Sequence, residues 1–390
     1  MKFVVVGLGQ CGGRIADEFA RLNRKAASKR RIEIVTGAFA VNTDIADLSG
    51  LRRIKPDYEH RILIGGRKTG GHGVGKINEL GAEVAKEDAD KVLDAIRTTK
   101  RLPEADAFLL IAGAAGGTGS GAIAIMTHYI KERFIDKPVY NLTVLPFKHE
   151  EETEERTIYN AATCLKSSYL VADAVILVDN QRYIRNDSSL INNLSKINAI
   201  IVEPFYNLLC AGEEKKQKYI GAKVLDAGDI IQTLVGWTVI GHSKSRLSFF
   251  RFLFERTRDF RKKVAETQKG IQAMDEAVSR LSVHGNPGDS RRALYLVAAP
   301  AKEMNMELIK ELGTHLKSLA PESIIRSGDY PRDTGVLDVS VILSEFSDLS
   351  KIRNYFTKTI SLISTIQKRQ EGIEIDTAFD GTLKDIPSLL

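Results

Sequence analysis

Apolar and polar positions along the first half of the chain fall into short alternating blocks. Unbroken apolar runs at Phe3–Val6, Ala107–Ala112, Val139–Leu145 and Ala174–Val178 predict buried strands, with further strands at Ile32–Val41 and Arg61–Ile64. Between them, stretches of helical period cover Arg14–Asn23, Ile77 to about Lys100, Ala122–Tyr129 and Thr153–Ser168. Apolar runs without alternation suit strands of a sheet that is covered on both faces. Strand following helix in this order predicts a parallel, doubly wound sheet in a Rossmann-like domain, with ligands at the carboxyl ends of its strands.

After Asn180 the rhythm changes. A long helix is predicted from Ser188 to Ala211, then a charged break from Gly212 to Lys218. From about Ile230 a second region carries a basic helical stretch (Ser245–Ser282), a polar linker (His284–Asp289), strands at Ala293–Ala299 and Val336–Ser344, and a helix at Met304–Leu319. The expected fold is therefore α/β: an N-terminal Rossmann-like nucleotide domain (1–187), a central helix with the loop after it (188–229), a C-terminal α/β domain of mixed sheet (230–372) and a short tail (373–390).

Composition narrows the class. A chain of 390 residues can bury two cores, and 43% hydrophobic with 27% charged residues fits an ordinary soluble protein. The 56 basic against 50 acidic residues are interspersed, which gives no case for a nucleic-acid partner and leaves a weak acidic partner or a membrane surface open. Three scattered cysteines predict a reducing, cytoplasmic setting without disulfides. No apolar run approaches the roughly 20 residues that span a bilayer, and Met1 leads straight into a strand, leaving no room for a signal peptide. The seven histidines lack ligand spacing, so no protein-held metal site is expected.

The chemistry lies in glycine-rich loops at strand ends. Gly113-Ala114-Ala115-Gly116-Gly117-Thr118-Gly119-Ser120-Gly121 follows an apolar strand and opens a helix. Its bare amides, at the positive end of a helix dipole, suit phosphates, and Thr118 and Ser120 add hydroxyls. Gly7-Leu8-Gly9-Gln10-Cys11-Gly12 fits the GxGxxG pattern of dinucleotide sites. The acidic residue that such a site places about 20 positions later has no good candidate, since the second strand ends at Asp44. A dehydrogenase also has no need of the second glycine loop. Gly70-Gly71-His72-Gly73-Val74-Gly75-Lys76 stops one residue short of a Walker A loop, because Ile77 stands where Ser or Thr would bind Mg²⁺. An ordinary P-loop enzyme is thereby disfavoured, and a plain surface loop is the other reading of that segment.

Taken together, these residues resemble the tubulin/FtsZ superfamily over nearly the whole chain. Gly113–Gly121 is similar to its GGGTGSG loop with Ala115 replacing the first glycine, and Gly9-Gln10-Cys11-Gly12 to the tubulin form of the first loop. A tubulin-like first loop on a body of FtsZ length resembles the archaeal CetZ group most. The resemblance implies bound GTP or GDP, with Mg²⁺ held mainly through the phosphates. It implies contacts from Gln10, Cys11, Gly12, Gly13 and Arg14; from Asp44, Gly73 and Gly75; and from Gly116, Gly117, Thr118, Gly119 and Ser120. Pro146-Phe147-Lys148-His149-Glu150 is similar to the FtsZ PFxxE element and implies Glu150 at the ribose, with Arg156 as the arginine that follows. Asn180 and Asn198 fall where the family reads the base. Amides meet both the donors and the acceptor of guanine. Adenine inverts that pattern, so two mismatched contacts would cost about 2–6 kcal/mol. By itself each asparagine also reads as a turn residue or helix cap.

Val224-Leu225-Asp226-Ala227-Gly228-Asp229 is similar to the NxDxxD/E loop that completes the active site of the next subunit, with Val224 in place of the asparagine. The resemblance implies that Asp229 orients the attacking water and Asp226 supports it; the alternative is an acidic cap on the following helix. A site divided in this way implies head-to-tail filaments and a role in cell shape or division. A GTP-binding relative that does not polymerise, and a Rossmann oxidoreductase, are the competing readings. Two segments bear on further partners. Phe249–Phe254 among arginines reads as a core-facing helix or as a surface for a membrane or partner. Asp385–Leu390 is similar to the FtsZ terminal peptide that docks membrane-tethering adaptors.

Overall fold

The computed structural model describes residues 1–184, 190–246, 260–304 and 306–371. The aromatic stretch 249–254 and the terminal peptide 385–390 lie outside the described residues. These fall into two compact units. The first comprises Lys2–Asn23, Val35–Val202 and the chain from Asp348, and the second Met1, Arg24–Ile34 and Glu203–Ser347.

The sheet of the first unit contains β1 (Phe3–Leu8), β2 (Val35–Asn42), β3 (Arg61–Leu63), β4 (Ala107–Gly113), β5 (Val139–Leu145) and β6 (Ala174–Asp179), in the order β3-β2-β1-β4-β5-β6. Every pairing is parallel. β1, β5 and β6 are buried along their whole length, as their unbroken apolar runs require. The order reverses between β1 and β4, and a doubly wound sheet opens a crevice for ligands at such a reversal. The helices are α1 (Gly9–Arg30), whose end from Arg24 belongs to the second unit, α2 (Ile45–Ser49), α3 (Gly66–Thr69), α4 (Asn78–Glu87), α5 (Ala89–Arg97), α6 (Thr118–Arg133), α7 (Lys148–Thr153) and α8 (Glu155–Val171). A long helix, α9 (Leu190–Ala211), begins in this unit and ends in the second.

The expected helix at Ile77–Lys100 is two helices, α4 and α5. The chain breaks at Asp88, whose carboxylate accepts a hydrogen bond from the Gly65 amide at 2.7 Å. α1 starts at Gly9, five residues before the expected start, because its first turn is the glycine loop itself.

The second unit holds α10 (Ala227–Thr233), β7 (Gly236–Arg246), α11 (Phe260–Ser279), β8 (Arg292–Ala299), α12 (Met306–Leu319), β9 (Ile324–Pro331) and β10 (Val336–Ser344). The strand order is β7-β10-β8-β9. β10 is antiparallel to β7 and β8, and β9 is parallel to β8, giving the expected mixed sheet. β7 and β9 had no counterpart among the expected strands. Both carry polar residues whose partners are remote in sequence: the Ser243 hydroxyl donates to the Ala273 carbonyl at 2.6 Å, and Asp329 accepts from the amides of Ala222 (3.0 Å) and Lys223 (2.5 Å). The last described helix, α13 (Ser350–Glu371), belongs to the first unit and packs on α8.

Close helix packing in the first unit depends on glycine. A Cβ at Gly121 would overlap the backbone carbonyl oxygen of Asn78, at the start of α4. That overlap outweighs the roughly 1 kcal/mol that alanine contributes to a helix interior. Gly121→Ala is therefore expected to destabilise the protein by about 1–3 kcal/mol. Gly116→Ala, whose Cβ meets no protein atom within 4 Å, should stay within about 0.5 kcal/mol of the parent. Urea unfolding of the two variants side by side measures both.

Candidate functional site

β4 runs out at Gly113 into the glycine loop, and α6 begins at Thr118. Gly117 caps α6 without a side-chain cap hydrogen bond, which suits the amides of the first turn to an anion. Gly116, Gly117, Thr118 and Gly119 line a cavity of about 450 Å³ at the carboxyl ends of the strands. The glycines have two different uses. A Cβ at Gly117 would press on the Ile77 nitrogen and the Lys76 carbonyl carbon at 2.9 Å, and one at Gly119 on the Leu8 carbonyl oxygen at 2.8 Å, so these admit neighbouring backbone. Gly116 faces open space. Ser120 does not line the cavity; its buried hydroxyl donates to the Gly116 and Gly117 carbonyls and shapes the loop from within. The Thr118 and Thr43 hydroxyls pair at 2.6 Å.

At the end of β1, Gly9 adopts φ +68° and starts α1. Gln10, Cys11 and Arg14 line the cavity, whereas Gly12 and Gly13 do not. Gly12 is needed for packing: a Cβ there would overlap the Ile111 carbonyl oxygen of β4. At the end of β2 and just after it, Asn42, Asp44 and Asp47 form a polar corner of the lining. The Gln10 amide donates to Asp47 Oδ1 at 2.6 Å and the Asn42 amide to Asp47 Oδ2 at 3.0 Å. Asp44 caps α2 by accepting the Asp47 amide at 2.9 Å. The loop Gly70–Gly75 is joined to this corner by Ile45 N–H to Gly71 (3.0 Å) and Gly73 N–H to Thr43 (3.1 Å). Gly73, with φ +82°, lines the cavity, and Gly75 does not.

Phe147, His149, Glu150, Asn180, Leu194 and Asn198 line the opposite end. Glu150 Oε2 accepts the Phe147 amide at 2.8 Å, and the Phe147 and His149 rings stack with centroids 5.5 Å apart. A second layer supports this end. Lys351 of α13 reaches Asp179 at 2.8 Å and Glu151 at 3.6 Å, and the Tyr355 hydroxyl donates to Glu151. Burial first, and then the bonded Glu151, push the Tyr355 hydroxyl far above its ordinary pKa.

Asp226 and Asp229 belong to the second unit and are not part of the cavity lining. Asp226 caps α10 by accepting the Asp229 amide at 2.9 Å, and the Asp229 carboxylate lies 3.4 Å from Arg326. Arg156 is likewise absent from the lining; it pairs with Glu79 and donates to the Lys76 carbonyl at 3.4 Å.

Sequence reasoning missed Asn42, Asp47 and Lys76 in the lining, and also Asn160. Fully buried on α8, Asn160 donates from its side-chain nitrogen to the carbonyls of Lys76 (2.9 Å), Ala115 (3.1 Å) and Gly116 (3.2 Å). The one signal it offers is an asparagine, a poor helix former, within a helical stretch.

Residues 2–187 match the Tubulin/FtsZ family GTPase domain and residues 187–361 the C-terminal domain of tubulin-like CetZ. The tubulin-like protein CetZ1 of Haloferax volcanii is 33% identical over 346 residues, 85% of this chain and 84% of its own. The GDP-bound CetZ1 monomer of that organism superposes with a TM-score of 0.79 at 28% identity, covering 93% of this chain and all of the other. A GTPγS-bound CetZ2 protofilament from the same organism gives 0.80 at 27%, covering 94% and 100%. Among the described residues, no helix is long and apolar enough to cross a membrane.

Burial, followed by the charge of Glu150, pushes the Cys11 thiol up to about 12 against Arg14, and burial alone raises that of Cys164 to about 12. Unfolded thiols titrate near 9.0. Between those values the native state keeps protons that the unfolded chain has lost. This contribution to stability is whole below about pH 9 and is lost as pH rises toward 12. Urea midpoints should fall from pH 8.5 to pH 10.5, and less steeply in the Cys11→Ala, Cys164→Ala double variant.

Proposed function

The chain belongs to the CetZ family of tubulin-like proteins, and from that premise we propose that it binds GTP and hydrolyses it within head-to-tail filaments of its own copies. The observation that carries this reading is the sequence of chemistries along one cavity: amides of Asn180 and Asn198 at one end, the bare start of α6 in the middle, and carboxylates of Asp44 and Asp47 at the other. Guanine, phosphates and a cation fit that order. The lining carries two permanent cations, Arg14 and Lys76, against the carboxylates of Asp44, Asp47 and Glu150. A polyphosphate entering it brings more negative charge, which favours a divalent cation carried in with the nucleotide. Mg²⁺ suits an all-oxygen corner and takes one or two carboxylates plus phosphates; Asp44 is the residue proposed beside it. Such a cation neutralises charge on the phosphates.

In this proposal Glu150 meets the ribose. Gln10, Cys11, Arg14, Gly73 and the loop Gly116–Gly119 hold the phosphates, while Gly12, Gly13, Gly75 and Ser120 support those loops. Residues 1–187 form the GTP-binding domain, 188–229 the central helix and catalytic loop, 230–372 the C-terminal domain and 373–390 a tail. Asp229 of a second copy orients the attacking water and Asp226 supports it. Phosphoryl transfer depends mainly on such positioning and electrostatics. A contact of this heterologous kind does not close on itself and propagates into a filament. The reading places the protein in the cytoplasm, in control of cell shape or division, with membrane-tethering adaptors as further partners. A second reading, a GTP-binding relative that does not polymerise, is favoured by Val224 in the catalytic loop and by the Arg326 partner of Asp229.

The GTP hydrolysis rate per molecule is expected to rise with protein concentration, to need GTP rather than ATP, and to drop on the order of 10²-fold in Asp229→Ala. A rate independent of concentration, or tight GTP binding without turnover, would favour the non-polymerising relative.

A further inference from the structure

Asp226 and Asp229 stand at the start of α10, and the chain leading to them needs an anchor if their carboxylates are to keep one place. Val224 supplies none: its side chain is apolar and 43% exposed. The anchor is β9, the last strand in the order β7-β10-β8-β9. Asp329 of β9 is buried and presents both carboxylate oxygens to the loop. Oδ2 accepts the Ala222 amide at 3.0 Å, and Oδ1 accepts the Lys223 amide at 2.5 Å. The Asp329 amide donates in turn to the Lys223 carbonyl at 3.0 Å. Hydrogen bonds to a carboxylate are roughly twice as strong as those between neutral groups.

Neighbours on the same strand continue the clamp. The Lys223 ammonium donates to the Ser327 hydroxyl at 2.7 Å, and Arg326 lies 3.4 Å from Asp229. Backbones also approach closely: a Cβ at Gly221 would overlap the Asp329 carbonyl oxygen, and one at Gly328 would press on the Leu225 Cβ at 2.7 Å. Leu225 is fully buried, and Asp226 follows it directly. The strand itself has no need of a carboxylate, since β9 is buried from Ser327 onward and an apolar residue would continue that pattern. Burying a carboxylate is costly unless it is hydrogen-bonded, and the bonds that offset the cost at Asp329 are those that fix the loop.

We propose that Asp329 is a positioning residue for hydrolysis: by holding the amides of Ala222 and Lys223, it sets where Asp226 and Asp229 stand when the loop meets the nucleotide of the next copy. This inference rests on the reading of a GTP site completed by a second copy. A misplacement of about 1 Å can cost on the order of 10²-fold in rate.

The test uses the full-length protein with Mg²⁺ in four forms: the parent, Asp329→Asn, Asp229→Ala and the double variant. Asparagine keeps the size of the side chain but turns an NH₂ group toward one of the two amides. Asp329→Asn should lower the maximal GTP hydrolysis rate per molecule about tenfold. GTPγS affinity by calorimetry, and the amount of protein sedimenting with GTPγS, should change less than twofold. In the Asp229→Ala background the same substitution should add less than twofold, because residues that act as a unit are not additive. Gly221→Ala disturbs the clamp from the loop side; it should reproduce the pattern and decides the matter where Asp329→Asn fails to fold. An unchanged rate, losses of affinity or sedimentation as large as that of rate, or a further tenfold loss on top of Asp229→Ala overturns the inference and leaves the GTP site standing. A parent that does not hydrolyse GTP, or whose rate is independent of concentration or of Asp229→Ala, overturns the underlying reading as well.

Discussion

The site exists because helices approach strands and one another backbone to backbone. Gly7 lies against the Gly12 carbonyl, Gly12 against that of Ile111, Gly81 against that of Gly117, and Gly121 against that of Asn78. No residue with a side chain fits at these points without displacing main chain, and packed interiors do not yield cheaply. The contacts bring the starts of α1, α4 and α6 together over the reversal between β1 and β4. Helix starts concentrate unpaired donors and positive potential. In this chain, close packing and anion affinity have a common origin.

That origin explains which features could be read from the chain. The strands β1, β4, β5 and β6 announce themselves as unbroken apolar runs, and the glycine loops as glycine between strand and helix. The α/β class and the mixed C-terminal sheet followed from those patterns. What could not be read is how each loop residue is used. Glycine looks the same in sequence whether it opens onto a cavity, as Gly116 does, or admits a neighbouring carbonyl, as Gly12 does. Ser120 looks like a donor for a ligand, yet its hydroxyl is occupied by the loop's own carbonyls. β9 escaped notice because Ser327 and Asp329 break its apolar pattern, and the partners that make Asp329 tolerable lie about a hundred residues earlier. Asn160 was hidden for a similar reason: its three acceptors are main-chain carbonyls on two remote loops, and carbonyls carry no sequence signal.

The two ends of the cavity are supported differently. At the carboxylate end the lining residues bond to one another, with Asp47 accepting from Gln10 and Asn42. At the amide end the support comes from α13, through Lys351 and Tyr355 to Asp179 and Glu151, the residues preceding and following Asn180 and Glu150. A displacement of α13 would therefore be felt first at the end lined by Asn180 and Glu150.

The position of α13 also bears on how the chain is made. The first unit is discontinuous, interrupted between Val202 and Asp348 by about 150 residues of the second. At roughly 5–20 residues per second, a ribosome needs about 7 to 30 s to bridge that gap. During this interval the face of α8 that α13 covers has no cover, and Asp179 and Glu151 have no lysine. The six-stranded sheet can pair early, since all its strands precede the gap. Its Asn180 end acquires its support only after the second unit has been synthesised, so the nascent protein passes through a stage with a paired sheet and an unsupported Asn180 end.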